Sequence, residues 1–302
     1  MKQFETWFCI ADVPIRLITP APLYVEPAFE LYRSAPRDGA VTCVFTQTEE
    51  IPDLLPESTE VFSDGMHRIF WSEQGTRQYY YIPYLGALPA EQRIPDAYQE
   101  LGDVFSRQMR ICFRPETARY FATASGCFNA AKIERLLLPE KRLVLHASFI
   151  EWKGSAIAFT ANSGVGKSTQ ADLWEAHTGA EIINGDRMAF GLRDGVMTGY
   201  GLPVAGSSGI FTNKAVPLGA VVLLGRAPVS EVASASTVGA VRDLLQQITV
   251  NRWDQRFMTS VFENLSCLLG QVPVFRLLAT PDEGAVNCLM ERLRKGDTLW
   301  NP

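Results

Sequence analysis

The sequence is poor in the features that mark metal capture, export and nucleic-acid binding. It has three histidines, and its six cysteines (Cys9, Cys43, Cys112, Cys127, Cys267 and Cys288) form no Cys-x-x-Cys pair and stand near no histidine. A zinc site of sequence-local ligands is therefore not expected. Apolar runs such as Ala220 to Leu224 fall far short of the roughly 18 residues that a spanning helix needs. The stretch from Met1 to Asp12 holds no uninterrupted apolar segment and is not read as a secretory signal. Free thiols in a reducing cytoplasm are the matching expectation. Basic charge is not in excess either: 28 Lys plus Arg face 33 Asp plus Glu, a net charge of −5. That argues against a protein that coats nucleic acid or an anionic membrane. No internal repeat and no low-complexity tract is seen.

What is present is an ordinary globular composition, 47% hydrophobic and 20% charged, which excludes a disordered chain. At 302 residues it has room for two domains of about 150 residues each. The two halves read differently. Short β-prone pieces at Trp7 to Ile18, Val41 to Phe45, Tyr79 to Tyr84, and Ile111 to Phe113 extending towards Phe121 are separated by turn-rich stretches. They predict a β-rich α+β module over residues 1–135, which carries no catalytic signature. From there to residue 302 the pattern is α/β. Leu143 to Ile150, Ser155 to Thr160, Glu181 to Ile183, Ala220 to Leu224 and Gln271 to Leu278 read as strands. Lys167 to about His177 reads as a helix closed by Gly179. Val238, Val241, Leu244, Leu245 and Ile248 mark one helical face; Val286, Leu289, Met290 and Leu293 mark another.

One segment concentrates the chemistry. Phe159-Thr160-Ala161-Asn162-Ser163-Gly164-Val165-Gly166-Lys167-Ser168-Thr169 follows a strand and opens a helix, the setting of a phosphate-binding loop. Glycines let successive N–H groups converge on one phosphate, and the helix N-terminus adds its positive end. Residues Asn162, Ser163, Gly164, Val165, Gly166, Lys167, Ser168 and Thr169 are the expected nucleotide contacts. Lys167 would reach the β- and γ-phosphates, and the Ser168 hydroxyl would ligate Mg²⁺. Ala161 stands where the pattern has its first glycine.

A phosphate loop needs an acidic partner near the tip of a neighbouring strand. Asp186, 19 positions after Lys167, follows Glu181-Ile182-Ile183 in an Asn184-Gly185-Asp186 run that could equally be a plain turn. His146 lies on the strand ahead of the loop and could face the same cleft, whereas His67 and His177 read as structural. The polar loop around Ser207, Ser208 and Lys214 is either a solvated connection or a loop that grips substrate. Asn251 to Arg256 reads as a solvated helix end.

Leu145-His146-Ala147, Gly154, the loop from Asn162 to Thr169 and Asn184-Gly185-Asp186 resemble the catalytic domain of the HPr kinase/phosphorylase group, a family of the phosphoenolpyruvate-carboxykinase-like P-loop fold. Phe159 through Asp186, with Ser168-Thr169-Gln170-Ala171-Asp172-Leu173-Trp174, look closer to kinase-like bacterial members of that group, as does Gly209 to Leu218. The resemblance covers roughly residues 140 to 295. It implies a cytoplasmic, ATP- and Mg²⁺-dependent kinase acting on a hydroxyl of a peptide, a protein or a small molecule. His146, Lys167 and Asp186 would be its catalytic residues, and Ser168 and Asp186 its metal ligands. The N-terminal module would recognise the acceptor or mediate association into a homo-oligomer. That family carries a pair of aspartates where Gly185-Asp186 stands here, so one carboxylate is missing: either Asp186 serves as both base and metal ligand, or the base comes from elsewhere, with Glu151 the candidate. The loop that serves the family's reverse reaction is not evident, so only kinase chemistry carries over. A carboxykinase of the same fold, or a nucleotide-binding regulatory module without catalysis, are the alternatives.

Overall fold

Apolar residues at every second position dictate the N-terminal architecture. In Val13–Thr19 the side chains of Val13, Ile15 and Leu17 are fully buried while those between them are half-exposed, the two-residue period of a strand with one face in a core. The stretch read as one strand from Trp7 to Ile18 is in fact a hairpin. Ala11 and Asp12, at φ of 53° and 64°, supply the left-handed pair that a tight two-residue turn requires, and they separate β1 (Phe4–Ile10) from β2 (Val13–Thr19). Six more strands follow: β3 (Val41–Gln47), β4 (Thr59–Ser63), β5 (His67–Ser72), β6 (Gly75–Tyr80), β7 (Ala97–Leu101) and β8 (Gln108–Phe113). They make one mixed sheet in the order β1-β2-β3-β8-β7-β6-β5-β4.

This computed structural model describes residues 2–83, 93–204 and 206–296, so Tyr84, the end of one expected strand, lies outside the described residues. The chain divides into two units, Met1–Glu140 with Arg252–Arg256, and Lys141–Asn251 with Phe257–Pro302. In the first unit β8 stops at Phe113, short of the expected extension, because Pro115 opens a 3₁₀ turn. Phe121 belongs instead to a short helix, Ala118–Phe121, and its ring stacks on Phe113 at 4.5 Å. His67 is buried and bonded to Asp64 and to the Asn129 carbonyl, a packing role.

The second unit contains β9 (Leu143–Trp152), β10 (Ser155–Thr160), β11 (Glu181–Asn184), β12 (Arg187–Arg193), β13 (Val196–Gly201), β14 (Ala215–Arg226), β15 (Glu231–Ser234) and β16 (Val274–Ala279). Its long helices are α1 (Lys167–Thr178), α2 (Thr237–Gln247), α3 (Gln255–Gln271) and α4 (Glu283–Gly296). β10, β14 and β16 run parallel, while β9 is antiparallel to β10. This is a mixed α/β arrangement, like the first sheet mixed in strand direction.

The pairing of two long strands positions the site. β9 carries β10 on one edge, over Ala147–Trp152, and on the other edge β12 over Leu143–His146 followed by β11 over Phe149–Glu151. β14 pairs with β13 over Ala215–Pro217 and with β10 from Leu218. The end of β10 at Thr160 and the turn between β11 and β12 therefore meet β9 from opposite edges at His146 and Ala147, and the cleft lies between them. Behind it lies an apolar core in which Trp174 of α1 is fully buried, edge-on to Trp152 at 5.2 Å. Val286, Leu289 and Leu293 of α4 close that core as their spacing predicts.

Other helical expectations need correction. Val238 is 81% exposed; Ala240 and Leu244 carry the buried face of α2, and Ile248 lies past the helix end in extended backbone. Gln271 ends α3, and the strand begins only at Val274, after Pro273. None of the described helices is long and apolar enough to cross a membrane.

Candidate functional site

The loop between β10 and α1 is built by its glycines. Gly164 and Gly166 sit at φ of 77° and 127°, backbone that side-chain-bearing residues rarely adopt. Ala161, the departure from the glycine pattern, is not among the positive-φ residues and packs into the core below, so an alanine suffices there. Gly166 is the N-cap of α1 and has no side chain to bond the first N–H groups of the helix, donors of the kind that bind an anion. At the other end Gly179 closes the helix in left-handed backbone, donating to Glu175 O.

Lys167 is the electrostatic centre. It is 8% exposed, its Nζ donates to the Ala161 carbonyl at 3.0 Å, and among the described residues it forms no ion pair. Burial pulls its pKa below the usual lysine value, against the attraction of Asp186. A desolvated cation without a carboxylate partner is costly unless an anion arrives to compensate it.

Asp186 is held opposite by a turn that the rest of the unit grips. Ala147 N–H donates to Asp186 O at 3.0 Å, and the Ser148 hydroxyl donates to Gly185 O at 3.0 Å. Asn184 is fully buried: its amide donates to Leu202 O and Val204 O, and its oxygen accepts from the N–H groups of Asp186 and Arg187, all within 2.8–2.9 Å. Asn184 thus positions the acidic residue, a role that the Asn-Gly-Asp composition alone does not reveal. Each buried group left unpaired costs about 1–3 kcal/mol. Asn184→Ala removes four bonds, one buried and three partly buried, so it is expected to lower stability by about 2 kcal/mol or more in urea unfolding. An unchanged midpoint would mean that β9 alone holds the turn.

His146 Nε2 lies 3.2 Å from Asp186 Oδ1, and Arg187 Nε lies 3.4 Å from Oδ2. An ionised carboxylate only accepts, so the imidazole donates from Nε2. Burial, then the Lys167 charge, push the His146 pKa below its usual value, with Arg187 adding to them and Asp186 opposing. His146, Ser163, Gly164, Lys167, Ser168 and Asp186 all line one cavity of about 270 Å³. Asp186 is the one acidic residue among those that line it. Its carboxylate and the Ser168 hydroxyl are hard oxygen donors facing the same space, a set that suits Mg²⁺ completed by phosphate oxygens and water.

The remaining candidates are placed differently. Glu151 stands opposite Ala156 at the start of β10, five residues and roughly 16 Å along β9 from His146. It pairs with Lys214, whose Nζ also meets Glu181 at 2.6 Å. Lys214 is therefore engaged by two carboxylates away from the glycine loop. Gly206, next to Ser207 and Ser208, does approach the site: a Cβ there would sit 2.7 Å from the Asp186 Cβ and Cγ. Ser208 Oγ accepts from Ile210 N–H, and the Ser207 side chain lies outside the described ones. Asn162 accepts from Gln247 of α2 at 2.7 Å. His177 ends α1 with Glu283 at 3.8 Å, a surface pair.

Sequence reasoning missed Arg226. It ends β14, and its guanidinium donates to the carbonyls of Gly164 and Val165, clamping the loop from the side. The usable signal was an arginine closing a buried parallel strand next to the strand that feeds the loop.

No protein-family model matches the chain, and no curated protein matches it. Among solved structures it is similar to the Hpr(Ser) kinase/phosphatase from Coxiella burnetii, at 13% identity over 50% of this chain and 88% of that one, with a TM-score of 0.29.

Proposed function

We propose that the chain is an ATP-dependent kinase that transfers the γ-phosphoryl group to a hydroxyl of a peptide, a protein or a small molecule. One observation carries the reading: a buried, unpaired Lys167 behind a left-handed glycine loop, facing a single carboxylate across a cavity of about 270 Å³. The loop N–H groups and Lys167 hold the phosphates, and positioning with charge neutralisation supplies most of the catalysis. Ser168 and Asp186 are the residues that would hold Mg²⁺, which when bound neutralises phosphate charge. The Asp186 carboxylate accepts the acceptor's hydroxyl proton, and the His146 Nε2–H donated to Oδ1 fixes its orientation. Residues 1–135 form the acceptor-recognition or association module of this reading.

Transfer from γ-labelled ATP is the direct test, run with the full chain against serine and threonine peptides and polyols. Labelled product that depends on both Mg²⁺ and one acceptor class is the expected result. The single carboxylate in the cavity favours a second reading, a nucleotide-binding module without catalysis. Tight ATP binding with no transfer to any acceptor would establish that one instead.

A further inference from the structure

We propose that the base of the nucleotide lies in a second cavity beside the phosphate loop, and that Gln170 reads an exocyclic amine on it. This rests on the nucleotide reading of the loop. The cavity measures about 470 Å³, and its walls include Val165, Thr169, Gln170, Leu224, Ala279 and Pro281. Gly166 and Thr169 line this cavity and the phosphate cavity alike, so one ligand can run from the first into the second across Thr169. A slot with mainly aliphatic walls next to a phosphate cradle suits a flat heteroaromatic ring, oriented by a few polar groups.

Gln170 is the polar group available. Its backbone N–H donates to Gly166 O in the first turn of α1, which ties it to the loop. The side chain is buried, with the residue 3% exposed, yet its carboxamide oxygen has no hydrogen-bond partner among the described residues. Two other polar residues in the wall are engaged, Arg226 with the loop carbonyls and the Thr280 hydroxyl with Ser230 and Asp282, while Thr169 stands at the junction with the phosphate cavity. An orphaned buried acceptor calls for a donor. The amine of a 6-aminopurine supplies one, whereas a 6-oxopurine presents lone pairs at the same place and is rejected.

Calorimetric titration of the full chain with Mg²⁺ and ATP, ITP or tripolyphosphate tests this. Wild type is expected to bind ATP roughly 10-fold or more tightly than ITP or tripolyphosphate, the effect of about one buried hydrogen bond plus ring burial. Gln170→Leu should bring ATP to the ITP level and leave tripolyphosphate unchanged. Ala279→Phe, which fills the cavity, should weaken ATP and ITP together; retained tripolyphosphate binding then shows that each variant is folded. Equal affinity of wild type for ATP and tripolyphosphate would place the base elsewhere. So would an ATP-over-ITP preference that survives Gln170→Leu. Failure of wild type to bind even tripolyphosphate is a distinct result: it removes the phosphate-loop reading, and the base site with it.

Discussion

Asp186→Asn is expected to reduce phosphoryl transfer by roughly 10²- to 10⁴-fold while nucleotide affinity changes little. The substitution keeps the size of the side chain and, because the turn is held through backbone groups and Asn184, keeps the turn as well. What it removes is the proton acceptor and the negative charge that faces Lys167 across the cavity, while the Asn oxygen and the Ser168 hydroxyl remain as donors for Mg²⁺. The loss should therefore fall on kcat, as it does for an interaction used mainly in the transition state. His146→Ala should cost less, since the imidazole acts through the Asp186 carboxylate. Single-turnover transfer from labelled ATP, paired with a binding titration, separates the two quantities. Near-wild-type transfer by Asp186→Asn would mean that another group takes the proton. Glu151, already paired with Lys214 near the start of β10, is poorly placed to be that group.

Lys167→Ala should abolish the stabilisation that nucleotide confers. For wild type, ligand at 100 times its Kd adds about 2.7 kcal/mol, a shift readily seen in thermal unfolding. In the unliganded protein the same substitution is expected to be neutral or mildly stabilising, because it removes a desolvated cation that has no carboxylate partner. A structural lysine would behave in the opposite way, with the unliganded protein weakened and the nucleotide shift retained. Equal ATP-induced shifts in wild type and variant would dispose of the phosphate-loop assignment.

The parts of this site that could be read from the chain are those in which one local segment does one job. Gly164, Gly166, Lys167 and Ser168 fall within five consecutive residues, and Gly179 marks the end of the helix they open. The strands on either side of the loop are short apolar runs with clear ends. The N-terminal hairpin was less legible, because its turn residues Ala11 and Asp12 are neither glycine nor asparagine and their positive φ leaves little trace in composition. The hairpin of β12 and β13 went unread for a related reason. Its apolar positions are diluted by Gly191, Gly199 and Gly201, residues that allow close backbone approach but carry no periodic signal.

From the sequence alone came the α/β character of the C-terminal half, the glycine loop between a strand and a helix, and the lysine and aspartate that line one cavity with it. Each of these follows from local backbone chemistry: which residues tolerate positive φ, which open a helix, which charge suits its N-terminus. Only the tertiary structure decided that His146 of β9 sits between the end of β10 and the Asp186 turn, that Asn184 anchors Asp186, and that Arg226 clamps the loop from 62 residues away. It also drew Lys214 and Glu151 off into their own ion pair. Those arrangements depend on strand order and register, which bring together residues whose separation along the chain leaves no pattern to read.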